Sequence, residues 1–357
     1  MPNARIAGIG HYVPSNVVTN ADLMRHMDTT DEWIQERTGI QERRYVTRGE
    51  ETSTTLAAEA TRMAAKEAGI ELNEIDFIIF ATLSPDYYFP GNGVLLQREL
   101  GISNTEIGAL DIRNQCSGFV YALSVGTAFI QTGTYKNILV VGAEVHSPGL
   151  DFSTRGRGIT VIFGDGAGAV ILQPTEEEGI MANKLHSDGT YAERLAYFNP
   201  GGHGGYHLRN IEGYEHFNVD YETDDNEFGQ MWLNQAMVDE GKIFPHMEGQ
   251  AVFKMAVRKF PEVIMEAFAS TPYELSDLDM FIPHQANLRI SQFVQRTMRL
   301  PDEKVFNNIQ KYGNTTAASI PLALSEAVQA GKVKRGDLVC LAAFGSGFTW
   351  AASVFRY

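Results

Sequence analysis

Cysteine is nearly missing: Cys116 and Cys340 are the only two in 357 residues. That leaves no disulfide framework and no thiolate metal site. Long apolar runs are absent as well, since none approaches the ~20 residues needed to cross a bilayer. The N-terminus, Met1-Pro-Asn-Ala-Arg-Ile-Ala-Gly-Ile, has neither the basic segment nor the apolar core of a secretory signal. Positive charge is in short supply: 29 Lys and Arg against 44 Asp and Glu give a net charge of −15. Such a balance argues against nonspecific nucleic-acid binding. These absences point to a reducing cytoplasm, where a lone cysteine stays a thiol. The rest is ordinary for a globular chain, and it is long enough for one large domain or two fused halves.

The scarce cysteine sits in a telling place. Thr105–Ile112 reads as a strand, and Gly118–Ile130 as a helix with almost no polar face, expected to be buried on all sides. Cys116 falls between them, at the positive end of the helix dipole, where a thiolate nucleophile is favoured. A cysteine alone is more often a small buried hydrophobe. Two further stretches raise the catalytic reading: Pro283-His284-Gln-Ala-Asn287-Leu-Arg289 at a strand end, and Gly313-Asn314-Thr-Thr at a flexible turn.

The chain repeats itself. Glu71–Phe80 resembles Glu274–Ile282, and Asn137–Val141 resembles Asp337–Leu341, at nearly the same shift. Two similar α/β halves follow, 1–174 and 175–357, with the Cys116 region of one corresponding to the Asn314 region of the other. Sites gather at strand ends in such folds. Elsewhere, Thr19 and Thr52 are expected helix caps, and Ile75–Thr82 and Lys136–Glu144 are expected buried strands. Arg157–Phe163 and Gly168–Leu172 read as two packed strands joined by a glycine turn.

Between Leu195 and Met247 the pattern loosens into an acidic, turn-rich excursion. His203, His207 and His216, or Asp220, Glu222 and Asp224, invite a metal reading. The calcium pattern needs glycine where Asp225 stands, so no metal is expected. Beyond it, Lys254, Arg258 and Lys259 cluster on one amphipathic helix, either as packed surface charges or as a dock for an acidic partner. Trp33 beside Arg37 and Arg44 reads first as a packing tryptophan with solvated charges.

Cysteine, histidine and asparagine in this order serve two chemistries. In papain-like proteolysis, Asn orients His and His takes the thiol proton. The local Cys-Gly-Ser/Ala-Cys-Trp/Tyr pattern of those enzymes is missing around Cys116. In thioester carbon–carbon bond formation, the thiolate takes an acyl group while His284 and Asn314 stabilise an enolate formed by decarboxylation. Ser346, between Gly345 and Gly347, then offers a backbone N–H which, with that of Cys116, makes an oxyanion hole.

Asp31-Glu-Trp-Ile, Arg37-Thr-Gly-Ile, Asn114-Gln-Cys116-Ser-Gly-Phe, Phe163-Gly-Asp-Gly-Ala-Gly-Ala, Pro283-His-Gln-Ala-Asn-Leu-Arg-Ile, Tyr312-Gly-Asn-Thr-Thr-Ala-Ala-Ser and Phe344-Gly-Ser-Gly-Phe-Thr-Trp together resemble the β-ketoacyl-[acyl-carrier-protein] synthase III family over nearly the whole chain. The resemblance implies a thiolase fold, two similar halves in a five-layered α-β-α-β-α core, a homodimer, and no cofactor beyond a coenzyme A thioester as substrate. It implies that an acyl-CoA acylates Cys116 and that malonyl-acyl carrier protein is decarboxylated beside His284 and Asn314, initiating type II fatty-acid synthesis. Trp33, Arg37, Arg157, Asn287 and Arg289 match the coenzyme A channel, reversing the plain packing role for Trp33. Lys254, Arg258, Lys259 and Arg289 match the carrier-protein dock, and Phe89 an aromatic reaching into the partner's acyl pocket. Gly345-Ser346-Gly347 replaces the usual three glycines. The 195–247 excursion is longer than in the family's housekeeping enzymes, which would suit a longer or unusual acyl chain. A related synthase condensing longer or specialised acyl thioesters, or an acyl-CoA thiol hydrolase, are the alternatives.

Overall fold

Side-chain chemistry sets the element ends. In the computed structural model, which describes residues 1–198 and 235–357, the Thr52 hydroxyl accepts the Thr55 N–H and caps a helix over Ser53–Ala68. Gly69 closes that helix in the left-handed region, at φ 70°. Thr19 and Asp22 form the expected capping box. The candidate metal positions His203, His207, His216, Asp220, Glu222 and Asp224 lie outside the described residues.

Two sheets carry the fold. The first contains β1 (Asn3–Tyr12), β2 (Phe77–Ala81), β3 (Gly108–Ile112), β4 (Ile138–Glu144) and β5 (Gly166–Thr175), in the order β1-β5-β4-β2-β3. The second contains β6 (Ile180–Ser187), β7 (Met280–Pro283), β8 (Leu338–Gly345) and β9 (Thr349–Arg356), in the order β6-β9-β8-β7. Both run antiparallel, antiparallel, then parallel across their strands. The first adds the parallel strand β3. In the second, a single parallel bridge from Val305 to Phe281 takes that place. β2 and β4 are buried along their whole lengths, as strands covered on both faces must be.

The main helices are α1 (Asp31–Thr38), α2 (Ser53–Ala68), α3 (Asn92–Glu99), α4 (Gly118–Gln131), α5 (Gly249–Phe268), α6 (Leu288–Thr297) and α7 (Ser319–Gln329). Strand alternation explains their layers. Ile78 points outward to Leu56 and Ala60 of α2, whereas Ile79 points inward to α4. Phe119 and Leu123 of α4 and Ile320 and Leu324 of α7 fill the space between Val140 of one sheet and Leu341 of the other. α5 and α6 cover the far face through Phe260, Ile264 and Val294. The result is the five-layered α-β-α-β-α thiolase arrangement. Each large apolar side chain fully buried this way contributes ~1.5–3 kcal/mol.

The repeat read from sequence reappears in detail. Glu71–Glu74 and Glu274–Asp277 form matching capped turns. The carboxylates of Asp76 and Asp279 then accept N–H groups at the starts of β4 and β8. Gln115 (φ 45°) and Thr316 (φ 50°) both open short 3-10 turns that lead into α4 and α7.

Two expectations need correction. α4 is not buried all round: Ala128 is exposed and Tyr121, Ser124 and Val125 are half-buried, because no described element packs over that face. Arg157–Phe163 is not a strand. Arg157–Thr160 is a helical turn, and Phe163 makes only an isolated bridge to Asn314. Val161 is drawn instead into a small core with Leu23, Ile34 and Ile40, a tertiary burial that overrides its β propensity. Among the described residues, no helix is long and apolar enough to cross a membrane.

Packing at the seam is tight enough to test. A Cβ on Gly142 would lie 2.2 Å from the Ala317 carbonyl oxygen, whereas one on Gly149 would meet nothing within 4 Å. Gly142→Ala should therefore cost ~1–3 kcal/mol or more, and Gly149→Ala less than ~0.5 kcal/mol. Urea denaturation midpoints check both; equal midpoints would refute the packing account.

Candidate active site

Cys116 lies in the 3-10 turn Gln115–Ser117, directly ahead of α4, and is 8% exposed. Ser117 anchors the turn, bonding Asn114 at 2.9 Å and Thr349 of β9 at 2.7 Å. Gly345, at the end of β8, allows the close approach. A Cβ there would sit 2.6 Å from the cysteine Cβ and 2.9 Å from Sγ. The next residue, Ser346, directs its backbone N–H at the sulfur, as does Cys116 itself. The Ser346 hydroxyl is occupied elsewhere, donating to the Leu195 carbonyl.

The expected low-pKa thiolate is not the resting state. Burial first, then the Glu144 charge, pushes the thiol up to about 12, while the two N–H groups pull the other way. Removing the sulfur from water outweighs the turn's partial positive charge. Glu144, absent from the residues singled out by sequence, is itself fully buried at the end of β4. It accepts from Thr82 Oγ1 and Leu83 N at 3.1 Å, Ser84 Oγ at 2.6 Å and Ala317 N at 3.4 Å. Its own pKa is raised to about 7 by burial, against those hydrogen bonds. Only its position at the end of a buried strand marked it in advance.

His284 follows β7, and its backbone N–H donates to Ala342 in β8, three residues before Gly345. The ring is buried, with Nδ1 2.6 Å from Ser319 Oγ. Nε2 is buried without a hydrogen-bond partner among the described residues. Desolvation lowers the imidazole pKa to about 3, so it is neutral at physiological pH. Asn314 accepts the Thr316 N–H on Oδ1 at 2.8 Å, which fixes the amide and turns its NH₂ away from that turn. Thr316 then joins Cys116, Ser346, Leu83, Leu195 and Phe198 in the wall of a cavity of about 490 Å³. A second imidazole, His146, also lines this cavity and bonds Thr316 Oγ1 at 2.8 Å.

The remaining candidates fall in two groups. Arg37 and Arg157 place their guanidinium groups 4.5 and 5.2 Å from the centre of the Trp33 indole. Asn287 caps α6 through the Arg289 N–H and donates to the Arg37 carbonyl at 2.8 Å, tying α6 to α1. On the outer face, Lys254, Arg258 and Arg289 are exposed, and Arg289 stands over Phe253, next to Lys254 in the chain. Lys259 differs: it pairs with Glu262 at 2.7 Å, rests over Trp350 and is 19% exposed. Arg258 shares Glu262 at 3.1 Å. Arg296, unnoticed in the sequence, is exposed two turns along α6 from Arg289. Phe89 is 81% exposed, on a loop with Tyr87 and Tyr88.

Comparison with known proteins gives the same reading. Residues 110–189 match the family described as 3-Oxoacyl-[acyl-carrier-protein (ACP)] synthase III, and residues 268–357 its C-terminal counterpart. A β-ketoacyl-[acyl-carrier-protein] synthase III of Alkalilimnicola ehrlichii is 43% identical over 358 aligned positions, covering 100% of both chains. The chain belongs to the β-ketoacyl-[acyl-carrier-protein] synthase III family. It is an enzyme of the acyltransferase, condensing type. A relative so named from Xanthomonas axonopodis pv. citri is 42% identical over 99% of this chain and 98% of its own. The crystal structure of 3-oxoacyl-[acyl-carrier-protein] synthase III from Aquifex aeolicus superposes with a TM-score of 0.83 at 40% identity, over 99% of this chain and 100% of that one. The full-length matches span the 195–247 excursion, so its length does not set this chain apart from relatives bearing the family name.

The thiol's environment yields a pH prediction. Thiolate population rises tenfold per pH unit below the pKa, so iodoacetamide labelling of the Cys116 peptide should climb about tenfold per unit from pH 7 to 9 without levelling. Glu144→Gln removes the neighbouring charge and should move the curve to lower pH. Mass spectrometry of the peptide reads both; a plateau below pH 8 in the native enzyme would contradict the buried-thiol account.

Proposed function

We propose that the chain condenses an acyl-CoA primer with malonyl-acyl carrier protein in two half-reactions on Cys116, giving the 3-oxoacyl carrier that initiates type II fatty-acid synthesis. The observation that carries this reading is the His284 Nε2 atom, buried and without a hydrogen-bond partner among the described residues, on the residue after β7, whose neighbour β8 ends at the Gly345 that packs on Cys116. A buried polar group left unpaired is costly, so it is expected to meet a substrate atom.

In the first half-reaction the sulfur attacks the thioester carbon. The tetrahedral oxyanion faces the N–H groups of Cys116 and Ser346, preorganised donors of the kind worth ~3–4 kcal/mol each. The carbon–sulfur bond to coenzyme A breaks, and the thiol proton ends on the departing coenzyme A sulfur. In the second, the malonyl thioester oxygen lies against His284 Nε2 and the Asn314 amide. Loss of carbon dioxide leaves an enolate held by both donors. Its carbon attacks the acyl group, and the cysteine sulfur leaves as a thiolate and takes one proton from solvent, which balances the negative charge of the carboxylate lost as carbon dioxide. The steps balance with no cofactor beyond the thioesters.

Trp33, Arg37, Arg157, Asn287 and Arg289 are assigned to the coenzyme A channel. A base stacked between Trp33 and Arg157 needs roughly 7 Å, two contacts of about 3.5 Å. Arg157 therefore swings off the indole on binding, releasing its bond to the Asp28 carbonyl. Lys254, Arg258 and Arg289 are assigned to the dock for the acidic carrier, with Arg296 extending the face; Lys259 takes a supporting place under it. The exposed edge of β3, with Leu110 38% exposed, and the exposed Phe89 support a homodimer in which Phe89 enters the partner's acyl pocket. The division into halves 1–174 and 175–357 is supported by the break between the sheets after Thr175. An enzyme that draws on coenzyme A and carrier thioesters is assigned to the cytoplasm.

Cys116→Ser should abolish incorporation of a labelled acyl group, followed by mass spectrometry of the intact protein. His284→Ala should leave that acylation within about twofold and slow release of carbon dioxide from malonyl-carrier by at least ~100-fold. Free acid without any 3-oxoacyl product in the native enzyme would overturn the condensing role in favour of hydrolysis. Reversing Lys254 and Arg258 to Glu should raise the KM for malonyl-carrier on the order of tenfold and leave acylation by acyl-CoA unchanged; an unchanged KM would remove them from the dock.

A further inference from the structure

Ser319 opens α7, is 2% exposed, and has a neutral imidazole as its neighbour. Its hydroxyl oxygen has two partners among the described residues: His284 Nδ1 at 2.6 Å and the Gln285 backbone N–H at 3.4 Å. Gln285 is pinned in turn. Its Nε2 donates to the Pro283 carbonyl at 2.7 Å, and its Oε1 accepts the N–H groups of Asn308 and Ile309 at 3.0 and 3.2 Å.

This arrangement selects a tautomer. The Gln285 N–H can only donate, so it uses one lone pair of the serine oxygen. Were His284 protonated at Nδ1, it too would donate to that oxygen. The serine proton would then have no acceptor among the described residues, which buried hydroxyls avoid. With the serine O–H donating to Nδ1, the serine hydroxyl and Nδ1 are both satisfied, and the ring proton then sits on Nε2, the atom left to meet the substrate. We propose that Ser319 is a positioning residue that locks His284 in the Nε2–H tautomer, making the ring a hydrogen-bond donor to the substrate oxygen and not a base for the Cys116 proton.

Asn314 obeys the same logic. The Thr316 N–H engages its Oδ1 and so orients the amide, leaving the NH₂ to offer to a substrate oxygen. Each side chain thus has an acceptor atom already engaged by the fold. The substrate oxygen meets N–H groups alone, and a site of that kind favours an enolate over a neutral carbonyl. The inference rests on the donor role proposed for His284, and it adds the group that sets the role.

The test uses full-length enzyme labelled with ¹⁵N-histidine. Two-bond ¹H–¹⁵N couplings report the tautomer of each ring, and the His284 signal is the one missing from His284→Ala. The native enzyme is expected to show Nε2–H. Ser319→Ala should lose this preference and slow decarboxylation of malonyl-carrier by about 10–100-fold, with acylation of Cys116 altered less than about twofold. Ser319→Thr keeps a hydroxyl and should restore both the tautomer and the rate. A purely structural role would lower acylation and decarboxylation together. An Nδ1–H ring in the native enzyme, or a Ser319→Ala enzyme that keeps Nε2–H and full decarboxylation, overturns the proposal. If Ser319→Ala does not fold, the native tautomer alone decides. Failure of the condensing role is read separately, since native enzyme would then release no carbon dioxide whatever its tautomer.

Discussion

Two contacts without room for a side chain hold this molecule's chemistry together. Gly142 of the first sheet meets the backbone of Ala317, and Gly345 of the second meets Cys116. Each glycine stands in a strand of one sheet and touches the turn that feeds a middle-layer helix. The contacts press the two 3-10 turns against the sheet ends, and those turns carry the cysteine and, just upstream, the asparagine. Any added Cβ would push the turns outward. The sulfur and its flanking N–H groups would then lose the spacing that makes them useful.

The same closeness makes the site dry, and dryness sets its electrostatics. Cysteine and glutamate are pushed towards their neutral forms, and so is the imidazole. A helix-end dipole contributes well under the cost of taking a thiolate out of water, which explains why the local turn does not decide the thiol's charge. Reactivity is then coupled to substrate. In the proposed acylation the thiol gives up its proton as the leaving thiolate accepts one, so no free thiolate need persist before substrate binds. Glu144 has a different part: it gathers Leu83, Ser84 and Ala317 around one carboxylate and so joins two loops across the seam.

Much of this was legible from residues alone. The caps at Thr19 and Thr52, the buried strands around Ile79 and Val140, and the two-fold repeat are written in local pattern, and local pattern survives folding. Cys116, His284 and Asn314 stood out as candidates because each combines a reactive side chain with a strand end or a glycine turn. What stayed hidden depends on contacts distant in sequence. Glu144 reads as the last residue of a strand until Ser84 and Ala317 close over it. Arg157–Phe163 has the apolar content of a strand, yet Val161 is buried under α1 and the segment coils. Lys259 belongs to a basic cluster in one dimension, and in three it lies over Trp350. The state of the thiol depends on total burial, which no window of sequence reports.

The polarity of the site follows from how its acceptors are disposed of. A histidine and an asparagine each bring both donor and acceptor atoms, so their presence alone does not distinguish a base from an oxyanion cradle. The distinction lies in their partners. The backbone N–H of Thr316 occupies the asparagine oxygen, and the Ser319 hydroxyl, itself anchored by Gln285, faces the imidazole Nδ1. If the serine hydroxyl donates to Nδ1, as proposed, a group placed at Nε2 meets a donor and not a base. A protease or hydrolase needs an acceptor there to draw a proton from water or thiol. A decarboxylating synthase needs donors that strengthen as charge moves onto oxygen, and the tautomer proposed for His284 supplies one.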